Sequence, residues 1–257
     1  MADEDEKESE MGSEEREYDS GVWHIVFVRF TNGDAASCAA VTRGLISPQD
    51  SVTPSAMTRD EAIAQLRPSL GKDLRKIANE QGVTVWKNGK KNKGWAGMVV
   101  ERMLGHPQDS LQEADFGTFE LKVVPVVRDS LGRWSVKETM AITMIDPKNV
   151  IATPFEHSHL IEKLRSILIC ARVFVNEQDD ESNLLKAGGF DLTDAETFKQ
   201  TQADYEFVRK TLRDGGELTG WMGNLVQPRT KGSGKGARTF AFYARTLFVA
   251  RMLKLND

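Results

Sequence analysis

Asp115-Phe-Gly-Thr-Phe-Glu120-Leu-Lys122-Val-Val-Pro125-Val-Val127 is the stretch whose reading decides the fold. Phe119 to Val127 is rich in Val and Phe and lies between Gly117 and Gly132, which reads as a β-strand with turns on either side. Residues two apart on a strand face the same way, so Glu120 and Lys122 project from one face, with Asp115 at the strand's start. Two carboxylates and an amine on one sheet edge repel or must neutralise one another. A divalent cation held by Asp115 and Glu120, with Lys122 beside an attacked phosphate, resolves that cost and describes phosphodiester hydrolysis. Alternating charge is also how an ordinary solvated strand reads, so this spacing gains its meaning from the rest of the chain.

The composition sets the frame. The chain has 257 residues, 40% hydrophobic and 28% charged, enough for one large domain or one domain with appendages. It has no apolar run of the roughly 20 residues a membrane span needs, and its start lacks the basic-then-apolar pattern of a signal peptide. Cys38 and Cys170 are too few and too far apart for a disulfide framework or a zinc cluster, and a reducing cytoplasm is the expected location. The four histidines make no His-x-x-x-His pair for zinc, and no phosphate-cradling Gly-x-x-x-x-Gly-Lys-Ser/Thr loop is present. The net charge of −4 divides into −8 over residues 1–20 and +4 over the remainder. A mildly basic body is compatible with binding a nucleic acid.

Three segments follow: an acidic tail over 1–20 expected to be disordered, an N-terminal extension over 21–56 of unknown role, and a main domain over 57–257. Within the extension, Trp23 to Phe30 reads as a strand. In the main domain, Thr58 with Glu61 forms a capping box for a first helix. A second helix is expected over 71–80, a basic flexible loop over 87–93, and a nearly all-apolar helix over 94–104. Strands are expected at 117–127 and 134–145, joined by an Asp129-Ser-Leu-Gly-Arg133 turn. His157 to Cys170 reads as an amphipathic helix, Gly188-Gly189 as a loop centre, and 196–213 as another helix. The chain closes with strands over 223–229 and 238–243, a Gly/Lys loop between them, and a last helix.

Three more features carry chemistry. Glu101 lies on an apolar helix, where a buried carboxylate either pairs with Arg102 or Lys93 or joins Asp115 and Glu120 as a third acid. Lys163 falls at the edge of an apolar stripe, where it either snorkels to solvent or reaches a phosphate across a cleft. Gln227-Pro-Arg229-Thr-Lys231-Gly-Ser-Gly-Lys235-Gly-Ala-Arg238 interleaves basic residues with glycines, which suits either a solvated hairpin or a loop that reads base edges in the major groove. Tyr243 fits a core or a base contact.

Taken together, KGWAGMVVERMLG (93–105), ADFGTFELKVVPV (114–126), DSLGR (129–133), EHSHLIEKL (156–164), LVQPRTKG (225–232) and AFYARTLF (241–248) resemble the MutH family. That family joins a mismatch-repair nicking endonuclease with Sau-type restriction endonucleases cutting at GATC. The likeness runs from about Leu66 to Leu253. It implies a mixed α+β, PD-(D/E)xK restriction-endonuclease-like fold, a central mixed sheet flanked by helices with two arms around a DNA cleft. It also implies a sequence-specific DNA endonuclease using Mg2+, with Mn2+ as an alternative. Asp115, Glu120 and the Leu121 carbonyl would hold the metal, and Lys122 would position or activate the attacking water. Glu101 would be an additional active-site acid, and Lys163 would reach in from the other arm. Lys93 would lie near the DNA backbone, and Gln227, Arg229, Lys231 and Tyr243 would fall in the base-reading region. The gap from Asp115 to Glu120 is two residues shorter than in typical members, and two residues are inserted near Val127-Arg128. The resemblance leaves two biological roles: a type II restriction enzyme, taken first, and a mismatch-repair nickase acting on hemimethylated GATC with a MutL-like partner. The chain would act as a monomer or a DNA-dependent dimer. A DNA-binding module without catalysis is the alternative from a different class.

Overall fold

The computed structural model describes residues 13–19, 24–30, 37–40, 57–105, 118–231 and 239–255. Met1–Pro54 and Ser55–Asp257 form two compact units. The first contains an antiparallel sheet of β1 (Ser13–Asp19), β2 (His24–Phe30) and β3 (Ser37–Ala40), in that order. The strand expected at 23–30 is β2. Disorder was expected over 1–20, yet β1 takes up the backbone partners along β2, Ser13 opposite Phe30 through Asp19 opposite His24. The rest of the tail lies outside the described residues.

The second unit begins with α1 (Arg59–Leu66), where the Thr58/Glu61 capping box forms as expected: Thr58 N donates to Glu61 Oε2 at 2.8 Å and Glu61 N to Thr58 Oγ1 at 3.3 Å. α2 (Leu74–Glu80) follows, capped by Asp73. The segment expected to be a flexible loop is a hairpin of β4 (Trp86–Lys87) and β5 (Lys90–Lys91). Its turn residues Asn88 and Gly89 have φ of 50° and 70°. Positive φ at both central positions is what a two-residue hairpin of primed type requires, and Asn-Gly supplies it cheaply. α3 (Trp95–Met103) then packs its Trp95, Ala96, Val99 and Val100 inward.

β6 (Glu120–Arg128) is the central strand. The turn at Asp129 joins it to β7 (Trp134–Val136), and Asp129 Oδ1 accepts from the Leu131 and Arg133 amides. β8 (Met140–Ile145) leaves for another sheet, so the single strand expected over 134–145 is two. The helix expected over 157–170 is a larger correction. α4 (Pro147–Ala152) and α5 (His159–Leu164) are short, and Ile167–Val173 is strand β9, paired in parallel with β6 from Glu120↔Ile167 to Val126↔Val173. Its run of apolar residues is buried on both faces, as in a parallel sheet covered on each side. β10 (Leu184–Phe190) pairs with β9 and contains Gly188-Gly189, so these glycines sit in a strand rather than a loop. At Gly189 a Cβ would fall 2.8 Å from Arg59 Nε, so a larger residue would make the guanidinium that binds Asp191 in bidentate fashion shift.

The result is a mixed four-stranded sheet, β10-β9-β6-β7, flanked by helices. A second sheet is formed by β11 (Val226–Thr230), β12 (Phe240–Ala244) and β8, with α6 (Ala195–Arg213) against β11 and α5 against β8, while α7 (Thr246–Leu253) packs on β7, β9 and β10 of the main sheet. Each face of the main sheet serves its own core. Leu121, Leu168 and Cys170 pack with α1, α2 and α3, while Val124, Val126, Ile167 and Ile169 pack with α5–α7 and the second sheet. Two lobes thus share one sheet, as the mixed α+β nuclease reading implies. No described helix is long and apolar enough to cross a membrane.

Candidate active site

Strand alternation turns Glu120 and Lys122 to the face opposite Leu121, at the free start of β6. The Glu120 amide donates to Ser166 O at 3.0 Å, which aims the peptide groups of Glu120 at β9. The carbonyl of Leu121 therefore points to the other edge, which β7 joins only from Val126 onward. Pro125 faces that same edge, where its carbonyl accepts from the Lys137 amide at 3.0 Å.

The Glu120 side chain is 7% exposed, and each of its oxygens meets a lysine. Lys122 Nζ donates to Oε1, and Lys163 Nζ donates to Oε2 at 2.7 Å from α5. Ser158 caps α5, its Oγ accepting from the Ile161 amide at 3.3 Å. Leu160, Ile161 and Leu164 bury the helix in the second lobe's core, leaving Lys163 to cross to Glu120. A buried carboxylate between two ammoniums is neutralised and carries local net charge +1, which suits an anionic group arriving at the mouth. The mouth is a cavity of about 210 Å3 lined by Thr118, Phe119, Glu120, Glu162, Lys163, Arg165 and Ser166.

The other expected site residues fall as follows. Glu101 is half-buried near the end of α3, on the helix that covers the opposite face of β6, its carboxylate lying back toward Gly97. Asp115 lies outside the described residues. Lys93 is exposed between the β4–β5 hairpin and α3. Arg229 and Lys231 are exposed at the far end of β11, and Tyr243 on β12 is half-buried. Arg229 donates to Thr139 Oγ1 at 2.6 Å, and its guanidinium stands 5.7 Å from the centre of the Tyr243 ring. Gln227 pairs with Tyr243 in register but is only 5% exposed, so it is buried rather than presented to solvent as a base contact would require. Most of the Gly/Lys loop, 232–238, lies outside the described residues.

Sequence reading missed the residues that build this geometry. Arg165 and Ser166 line the Glu120 cavity and sit two and three positions after Lys163, the only hint available. Asp204, on α6, accepts from the amides of Asn224, Leu225 and Val226 at 2.8, 2.7 and 2.8 Å and so fixes the start of β11. Asp179 is fully buried and accepts from Trp95 Nε1 at 2.9 Å, Arg172 Nη1 at 3.0 Å and Lys91 Nζ at 2.8 Å. Desolvation pushes its carboxyl up, but the bonds from Lys91, Trp95 and Arg172 outweigh it and hold the group below the usual carboxylate value.

The geometry thus brings together a carboxylate and a lysine at the start of β6 and a lysine from the other lobe. The model of the family described as DNA mismatch repair enzyme MutH matches residues 104–202, which span Glu120, Lys122 and Lys163 and stop before β11. The DNA mismatch repair protein MutH of Salmonella paratyphi C (strain RKS4594) is 31% identical over 192 residues, covering 71% of this chain and 79% of that protein. Its counterparts in Salmonella choleraesuis (strain SC-B67) and Salmonella newport (strain SL254) match to the same extent. The chain belongs to the MutH family.

Proposed function

We propose that this protein is a metal-dependent endonuclease that hydrolyses phosphodiester bonds of double-stranded DNA at a GATC-like site, nicking the unmethylated strand during mismatch repair. The observation that carries the chemistry is the Lys122–Glu120–Lys163 cluster on the edge of an open cavity. The repair role follows the names of the curated relatives, and it displaces restriction as the first reading.

The donors at the start of β6 fit a hard divalent cation, since carboxylate and carbonyl oxygens are what Mg2+ takes. Glu120 and the Leu121 carbonyl would hold it with Asp115, and Mn2+ suits the same oxygens. Bound there, the ion supplies Lewis-acid stabilisation of the phosphate and a water acidic enough to attack at neutral pH. Glu120 first has to release one of its two lysines. The released ammonium is then within reach of the phosphate and balances the charge that builds on it. Lys122, on the same strand face, orients the attacking water, while Lys163 closes the site from the second lobe. Arg229, Lys231 and Tyr243 present donors and an aromatic edge for base contacts. The partners in this reading are duplex DNA and a MutL-like protein, the setting is the cytoplasm, and a single catalytic cluster among the described residues suits a monomer that nicks.

The experiment uses the full chain on unmethylated, hemimethylated and fully methylated GATC duplexes in Mg2+, with and without a MutL protein. Nicking of the unmethylated strand, stimulated by MutL and abolished in Lys122→Ala with DNA binding kept, is the expected result. Double-strand cutting of unmodified duplex unaffected by MutL would move the role to restriction. Unchanged cleavage in Lys122→Ala would end the assignment of the site.

A further inference from the structure

We infer that the β4–β5 hairpin is a phosphate-contacting arm that grips the DNA backbone without reading sequence. The inference rests on the DNA-endonuclease reading and adds a binding surface to it. Lys87 and Lys90 lie directly opposite each other across the Asn88-Gly89 turn, and both are exposed. Like charges in a directly opposed pair destabilise a hairpin, and a two-stranded hairpin has little stability to lose. Neither lysine has an acidic partner among the described residues, so the repulsion is not relieved within the described protein. A polyanion relieves it.

The hairpin is also built to stay put. The Trp86 indole donates to Gln178 O at 2.9 Å, and Lys91 donates to Glu177 O at 3.1 Å as well as to the buried Asp179. Asn92 closes the base of the hairpin, its amide donating to Val85 O at 2.9 Å and its side chain to Thr84 O at 3.0 Å. Lys91 is therefore an anchor, while Lys87 and Lys90 are presented to solvent by a fixed frame. A backbone already held in place loses little freedom when its lysines meet a phosphate, so more of the attraction appears as affinity.

The hairpin docks on Glu177 to Asp179, just beyond the end of β9 that pairs with Val126, whereas Glu120 pairs with Ile167 at the other end of that strand. Six strand residues at about 3.3 Å each set the two regions about 20 Å apart along the sheet, within one turn of a duplex at about 34 Å. Lysine is a point charge on a flexible stem, which favours phosphate contact over the bidentate base reading that arginine provides.

The test compares full-length wild type with Lys87→Ala/Lys90→Ala and with the length-preserving Lys87→Gln/Lys90→Gln. A charge-matched control, Lys148→Ala/Lys199→Ala, removes two exposed lysines elsewhere. Binding to a GATC duplex and to a scrambled duplex is measured across a salt series. Each lost phosphate contact lowers the slope of log K against log salt by about 0.9, so both hairpin variants are expected to lose close to 1.8 while the control loses none. The preference for GATC over scrambled duplex is expected to stay the same. A slope equal to that of wild type or the control, or a changed site preference, overturns the assignment of the hairpin alone. A wild-type chain that binds neither duplex overturns the endonuclease reading together with this one.

Discussion

The pair between Glu120 and Lys163 is the bond that joins the two lobes at the site, and its strength can be worked from the geometry. Lys163→Met, Glu120→Gln and the double variant form a thermodynamic cycle. A hydrogen bond to a charged group contributes about 1.5–3 kcal/mol. Here the carboxylate is 7% exposed but the Lys163 side chain is 21% exposed, so solvent screening reduces the gain. Lys122 still neutralises the carboxylate when Lys163 is gone, so a coupling energy of about 1–2 kcal/mol is expected. Glu120→Gln alone leaves two ammoniums facing one pocket, and they relieve the repulsion only by swinging their stems toward solvent. That variant is therefore expected to lose more stability than Lys163→Met. Urea unfolding followed by tryptophan fluorescence gives the three differences, with fully buried Trp95 as one reporter. A coupling below about 0.3 kcal/mol, the additivity expected of independent sites, would show that Lys163 merely rests at the surface and would refute the cross-lobe bond.

Further outcomes follow from other parts of the structure. Asp179→Ala strips Arg172 and Trp95 of a buried acceptor and is expected to cost about 3–5 kcal/mol, lowering the melting temperature by about 10 °C; a loss under 1 kcal/mol would count against the network. Because the Asp179 carboxyl is held below its ordinary 3.8, its contribution is complete above about pH 4 and disappears as the pH falls through its lowered value, so the variant should show a shallower acid loss than wild type. Gly223→Ala is expected to cost about 3 kcal/mol or more in a thermal melt, since Gly223 has φ of 74° and a Cβ would fall 2.0 Å from Val226 O; a loss within 1 kcal/mol would mean the loop can move. Burial pushes the Cys170 thiol up to about 12, so iodoacetamide at pH 8 should leave it unmodified in the native protein and label it in denaturant; native labelling seen by peptide mass mapping would contradict its burial.

Much of the fold could be read from local signals. Thr58 with Glu61 gave a helix start because the cap and its partner are three residues apart, and Asp129 with Gly132 gave a turn for the same short-range reason. The stripe from His157 to Cys170 misled because its last apolar residues serve a strand. Short apolar runs satisfy helix and buried-strand patterns equally, and only pairing with β6 separates them. Gly188 and Gly189 mislead in the opposite sense: glycine signals a break locally, yet both lie in β10, and Gly189 packs against Arg59 from far away in the chain. The Asn88-Gly89 pair is a local hairpin signal, but the lysines around it also fit a solvated loop, and only the anchoring of Trp86 and Lys91 on Glu177 to Asp179 separates the two.

By itself the sequence determined that Glu120 and Lys122 share a face, since a strand's two-residue period depends on nothing beyond the neighbouring residues. It also determined the family, because several motifs occur in order. What only the tertiary structure decided is which distant groups meet: Lys163 at Glu120, Lys91 and Arg172 at Asp179, and three amides at Asp204. These contacts are set when two cores pack on opposite faces of one sheet, and that packing depends on non-local burial that no local spacing encodes.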